Sequence, residues 1–157
     1  MKRVREGESK IRVRCSVAGS KSATLLQIPR NEVSGRNQCA VAIQQWTKPA
    51  FLSCGPDSDG EWMELEQDML KDSTAFTVEI HDKDTRYARI RDIQGRFMCV
   101  DAESHQVRFC EHLPKGEETC GLWKLQCVGR KSPAGMVGAN LLESVRCPAM
   151  YLKITRE

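Results

Sequence analysis

Apolar residues alternate with polar ones at a period of two along much of the chain. Ile11, Val13 and Cys15 occupy every second position, as do Phe76, Val78 and Ile80, then Val107 and Phe109, then Trp123, Leu125 and Cys127. Successive side chains of a strand point to opposite faces, so this alternation predicts strands with one buried side. Helical spacing is nowhere sustained. Only residues 61–70 hold enough helix formers to compete, and their centre, Trp62-Met63-Glu64-Leu65, alternates too. Turn-forming clusters separate the runs: Gly55-Pro56-Asp57-Ser58-Asp59-Gly60, Asp92-Ile93-Gln94-Gly95 and Ser132-Pro133-Ala134-Gly135. The chain is therefore expected to be all-β.

The runs also repeat. Phe51-Leu52-Ser53-Cys54, Phe97-Met98-Cys99-Val100 and Tyr151-Leu152-Lys153-Ile154 each place an aromatic-led apolar stretch after a polar break. After Phe51 come expected strands over 62–65, 76–80 and 87–90; after Phe97 they come over 107–109, 122–127 and 137–145. Tyr151 opens a further unit whose remaining strands stand at the other end of the sequence, over 10–15, 23–28 and 40–43. Three four-stranded units at a period of roughly 50 residues predict a single β-trefoil domain over residues 1–157. It closes only where the 151–154 strand pairs with the 10–15 strand, bringing Met1 and Glu157 together. Trp62, Phe76, Phe97, Phe109, Trp123 and Tyr151 recur at equivalent places and are expected to fill the core.

Composition changes the picture in two respects. The net charge of +3 is mild, but Lys2, Arg3, Arg5, Lys10, Arg12 and Arg14 crowd the start of the chain against only Glu6 and Glu8. Such a run reads as a solvated strand face or as a docking face for an anionic partner. Eight cysteines would suffice for four bridges, yet Cys15, Cys39, Cys54, Cys99 and Cys127 sit in or beside apolar runs. Cysteine behaves there as a small hydrophobe, and reduced thiols are expected. No signal-peptide pattern and no membrane-spanning apolar run are present. Cytoplasmic residence or secretion without a signal peptide follows, with no membrane insertion and no nucleic-acid partner.

Motifs for chemistry are weak. His81, His105 and His112 have no recognisable catalytic companions, and no enzyme is expected. Cys110, His112, Cys120 and Cys127 lack the paired spacing of a closed zinc site. Asp57-Ser58-Asp59-Gly60 resembles the head of a calcium loop without its downstream ligands, so it is read as a turn. Gln44-Gln45-Trp46 contains the Gln-x-Trp of ricin-type lectin repeats, but once only. No cofactor or metal is expected. Trp46, flanked by Gln45, Thr47 and Lys48, stands outside the repeat register and is either a loop anchor for a partner or a residue folded over the barrel.

Leu142-Glu143-Ser144-Val145-Arg146-Cys147-Pro148-Ala149-Met150-Tyr151-Leu152 resembles the interleukin-1 family signature: Phe or Leu, Ser two later, Pro four after that, then an aromatic–aliphatic pair. Lys153 and Ile154 depart from the small and hydroxyl residues that follow in the family. Phe51-Leu52-Ser53-Cys54, Trp62-Met63-Glu64-Leu65 and Ser73-Thr74-Ala75-Phe76-Thr77-Val78 are similar to the closing third of interleukin-18-like cytokines. Arg89-Ile90-Arg91-Asp92 and Phe97-Met98-Cys99-Val100-Asp101 are similar to their opening strands, so the segment order is rotated as in a circular permutant. The resemblance implies a leaderless, monomeric cytokine that binds an immunoglobulin-like receptor ectodomain. Lys2, Arg3, Arg5, Lys10, Arg12, Arg14, Trp46, Lys48, Asp57 and Asp59 are the candidate contacts. Fascin-like actin-binding domains and heparin-binding growth factors share the expected architecture. An intracellular scaffold and a binder of anionic glycosaminoglycan therefore stay open.

Overall fold

The computed structural model describes residues 10–17, 24–27, 38–45, 50–55, 59–67, 72–81, 83–84, 86–127 and 140–154. These residues form an all-β protein in which every strand pairing is antiparallel. In chain order the strands are β1 (Lys10–Ile11), β2 (Val13–Val17), β3 (Thr24–Gln27), β4 (Gln38–Gln44), β5 (Phe51–Ser53), β6 (Met63–Glu66) and β7 (Phe76–Ile80). There follow β8 (Tyr87–Arg91), β9 (Phe97–Val100), β10 (Gln106–Cys110), β11 (Trp123–Cys127), β12 (Asn140–Ser144) and β13 (Met150–Lys153). Single 3-10 turns lie at Asp72–Thr74 and Glu118–Gly121. Among the described residues no helix is long and apolar enough to cross a membrane.

Six strands close on themselves: β3 pairs β4, β4 pairs β7, β7 pairs β8, β8 pairs β11, β11 pairs β12, and β12 returns to β3. Closure leaves this ring without a free edge. The other strands form three two-stranded ribbons, β5/β6, β9/β10 and β13/β2. Each joins the ring at one position, where Phe51 faces Gln44, Phe97 faces Arg91 and Tyr151 faces Glu143. The aromatic that leads each sequence repeat is thus the residue at which a ribbon leaves the ring.

The ribbons also meet one another. β1 pairs β6 through Ile11 and Met63, β2 pairs β10 through Val13 and Val107, and the Phe109 N–H donates to the Gly60 carbonyl at 2.7 Å. Gly60 has φ +87°. A Cβ there would lie 2.4 Å from the Phe109 oxygen, so only glycine permits this approach. Taking β1 and β2 as one strand interrupted at Arg12, the ring and ribbon pairings repeat when every strand is advanced by four.

Alternation builds the core. Val13, Cys15, Phe76, Val78, Ala88, Ile90, Val107 and Phe109 face inward, while Arg14 and Arg108 between them are exposed. Leu52, Met98 and Leu152, one residue after the lead aromatic of each repeat, are completely buried. Phe76 stacks on Phe109 with centroids 5.6 Å apart, and the buried Trp123 donates its indole N–H to the Met98 carbonyl at 2.9 Å. A buried indole thereby keeps its hydrogen bond. Asp92 and Arg96 form a buried ion pair at 2.7 Å in the turn between β8 and β9, and Arg96 also donates to the Cys54 sulfur at 3.4 Å.

Three expectations need correction. Trp62 is 36% exposed and Phe97 and Tyr151 are half-buried, so of the six aromatics expected in the core only Phe76, Phe109 and Trp123 lie there. The reason is the pleat: in β9 and β13 the position after the lead aromatic points inward and the aromatic itself outward, whereas the lead aromatic of β5, Phe51, is buried. The strand expected over 10–15 is broken at Arg12. Its β2 part pairs β13, from Val17 opposite Met150 to Arg14 opposite Lys153, whereas β1 pairs β6. The strand expected over 137–145 ends at Ser144, and its expected start at 137–139 lies outside the described residues. Met1 and Glu157, whose proximity the closure argument required, lie outside the described residues.

Candidate binding surface

The break between β1 and β2 places Arg12 where all three ribbons meet. Its guanidinium lies 4.2 Å from the centroid of the Trp62 ring, and Nη1 donates to Gln106 Oε1 at 3.4 Å. The cation thus covers an aromatic face that the pleat turns outward. Arg14, one step further along the same face, is exposed and donates through Nη2 to the Ser104 carbonyl at 3.1 Å.

Beside Arg12 opens a cleft of about 190 Å³, lined by Arg12, Glu61, Asp101, Ser104, Gln106 and Arg108, with Val107 as its apolar member. The turn from β9 to β10 together with the start of β10 supplies most of this wall. Asp101 accepts from the Ser104 hydroxyl at 2.6 Å and from the Ser104 N–H at 3.1 Å. These bonds, with Arg108 as a weaker influence, hold the Asp101 carboxyl below its ordinary pKa. His105 completes the turn at φ +61°, and its carbonyl accepts from the Cys15 N–H at 2.8 Å, pinning the turn to β2. The surface therefore carries charges of both signs, Arg12 and Arg108 with Glu61 and Asp101, on a hydrogen-bonded turn and strand.

Of the candidate contacts, Arg12 and Arg14 come together here. Lys10 is in β1, with its backbone opposite Glu64. Asp59 is exposed and accepts from the Glu61 and Trp62 N–H groups at 2.9 and 3.0 Å, so it shapes the turn that presents Trp62. Lys2, Arg3, Arg5, Trp46, Lys48 and Asp57 lie outside the described residues. Glu61, Asp101, Gln106 and Arg108 were not singled out from sequence. Asp101-x-x-Ser104 is a turn signal that could have found part of this wall.

His81 and His112 are exposed, and the His81 Nδ1 accepts the Lys83 N–H at 3.2 Å. Among the described residues no group of three or more His, Cys, Asp or Glu side chains is placed to hold a metal ion.

Cysteine falls into distinct settings. Cys15, Cys54, Cys99, Cys120 and Cys147 are buried thiols outside disulfide bonds, and Cys110 is a half-buried one. Burial, with Cys147 nearby, raises the Cys15 pKa to about 12. Cys110 is the opposite case: a hydrogen bond from Cys99, assisted by Arg108 and Arg96, outweighs desolvation and lowers its pKa to about 6. The same bond, together with burial, drives Cys99 upward. Neither the known protein families nor the curated proteins contain a match to this chain.

Proposed function

We propose that this chain is a β-trefoil acting as a non-catalytic, interleukin-1-like cytokine that binds an immunoglobulin-like receptor ectodomain. The observation that carries the reading is the recurrence of ring and ribbon pairings at every fourth strand. A six-stranded ring with three ribbons is how a trefoil is assembled, and trefoils of this size serve chiefly as recognition modules. The step from trefoil to cytokine rests on the interleukin-1-like run at residues 142–152, which spans β12 and β13, and on the interleukin-18-like segments in rotated order.

Support for a docking role comes from the Arg12 cleft. A wall of charges of both signs beside an outward-facing tryptophan suits a protein partner, where aromatic and arginine anchors dominate binding. Arg14, exposed at its rim, is placed to steer encounter with an acidic receptor surface. The test is surface plasmon resonance against a panel of immunoglobulin-like receptor ectodomains. Heparin chromatography and actin cosedimentation serve as the competing arms. Arg14→Glu is expected to lower the association rate at low salt by roughly tenfold while leaving the melting temperature nearly unchanged. Cosedimentation with actin and no receptor binding would overturn the cytokine reading.

A further inference from the structure

We propose that Cys110 is a hydroperoxide-reactive thiol whose oxidised form is resolved by Cys99, making the outer face of the β9/β10 ribbon a thiol-oxidation site. In the ladder Phe97 faces Cys110 and Cys99 faces Arg108. Cys99 and Cys110 are therefore diagonal neighbours on one face, with Arg108 on that face as well. This face is opposite to that of Met98 and Phe109, which enter the core. Cys110 is half-buried, whereas Cys99 is 3% exposed because the Glu118–Gly121 turn covers it. A Cβ built on Gly121 would lie 3.5 Å from the Cys99 sulfur. Cys120 belongs to that same turn and is buried as well. One thiol is thus open to a small oxidant, a second is its diagonal neighbour beneath the covering turn, and arginine lies on the same face.

Thiolate is the reacting species, and the Cys99 hydrogen bond with Arg108 favours it at Cys110. The Cys110 sulfur attacks the distal oxygen of a hydroperoxide. The O–O bond breaks, the alkoxide or hydroxide leaves and takes a proton from solvent, and Cys110 becomes a sulfenic acid. The Cys99 sulfur then attacks the Cys110 sulfur. The S–S bond forms, the S–O bond breaks, and the leaving hydroxide departs as water with the Cys99 proton. The two thiols together lose two electrons, and the hydroperoxide gains them.

The experiment treats the reduced full chain with substoichiometric hydrogen peroxide at neutral pH and maps peptides under non-reducing conditions. The first product expected is a Cys99–Cys110 linked pair, formed more than about a hundredfold faster than any oxidation of Cys15. Cys110→Ser is expected to abolish this phase. Cys99→Ser is expected to halt the reaction at a sulfenic acid on Cys110 that dimedone captures, and Cys120→Ser to leave the Cys99–Cys110 pair intact. Wild-type peroxide consumption by Cys110→Ser, or a first bridge that omits Cys110, would overturn the site. A first bridge from Cys110 to Cys120 would overturn Cys99 as the resolving thiol. Product mapping on the unmutated chain decides these points even if a cysteine variant folds poorly.

Discussion

Cys15 on β2 and Cys110 on β10 belong to strands that superimpose when the strand order advances by eight, yet they face opposite ways. Cys15 stands opposite Leu152; its counterparts are Leu65 opposite Leu52 and Phe109 opposite Met98. All three of these ribbon positions turn toward the core. Cys110 stands opposite Phe97, and its counterparts are Ser16 opposite Tyr151 and Glu66 opposite Phe51. Those positions are polar and only partly buried. One step of register therefore separates a thiol that behaves as a small hydrophobe from one placed beside arginine.

The largest effect is expected at the inward position itself. Phe109→Ala removes the partner of the Phe76 ring and leaves a cavity beneath the ribbons. It should cost about 3–5 kcal/mol, read as a fall in the urea midpoint at unchanged m-value. A loss below about 1 kcal/mol would mean that the inward register is not what orders this ribbon.

The cysteines sharpen the contrast. Cys15→Ser places a hydroxyl in apolar surroundings and should cost about 1–3 kcal/mol. Below pH 6, where the thiol is protonated folded and unfolded, Cys110→Ser, at a position whose counterpart is already Ser16, should stay within about 0.5 kcal/mol of the parent. Equal losses in chemical denaturation would contradict the assignment of opposite faces.

Much of this was legible in the sequence. Alternation located the strands, and the spacing of Phe51, Phe97 and Tyr151 located the joints between ring and ribbons. The face of each aromatic was not, because aromatics suit either side of a pleat and the repeat was anchored on its most conspicuous residue instead of on Leu52, Met98 and Leu152. The Arg12 cleft was half legible: the basic run was visible, but its acidic neighbours come from turns 50 to 100 residues away, a proximity that only the ladder β2–β10 and the turn at Asp59 create. The setting of Cys110 could have been read, since Val107 and Phe109 inward imply Arg108 and Cys110 outward.

Titration should separate the two thiols by sign. The Cys15 pKa is raised from 9.0 to about 12, so its contribution to stability is fully present below pH 9 and is lost as pH rises from there toward 12. The parent should lose up to about 1.4 kcal/mol per pH unit more than Cys15→Ala in that window. Cys110 is lowered from 9.0 to about 6, so its contribution is present above pH 9 and is lost as pH falls toward 6. Cys110→Ser should flatten the profile between those limits. Urea midpoints across pH, parent against each variant, provide the check, and slopes of the same sign for both thiols would break the comparison.

Trp62 offers the smallest and most selective test, because among the described residues it is the largest exposed side chain. It precedes Met63, which is 1% exposed, by one residue, so the pleat that buries the methionine turns the indole toward Arg12. Trp62→Ala removes a partly solvated cation–π contact and leaves no internal cavity. The expected cost is about 0.5–1 kcal/mol, several times below that of Phe109→Ala. If the tryptophan instead helps to hold the three ribbons together, the loss will approach the Phe109 value and the cooperativity of unfolding will fall. A small loss in stability combined with weakened capture of a receptor ectodomain would place the value of this indole at the surface. Arg12→Gln, which shortens the side chain and removes the charge over the ring and the bond to Gln106, should reproduce most of the stability effect.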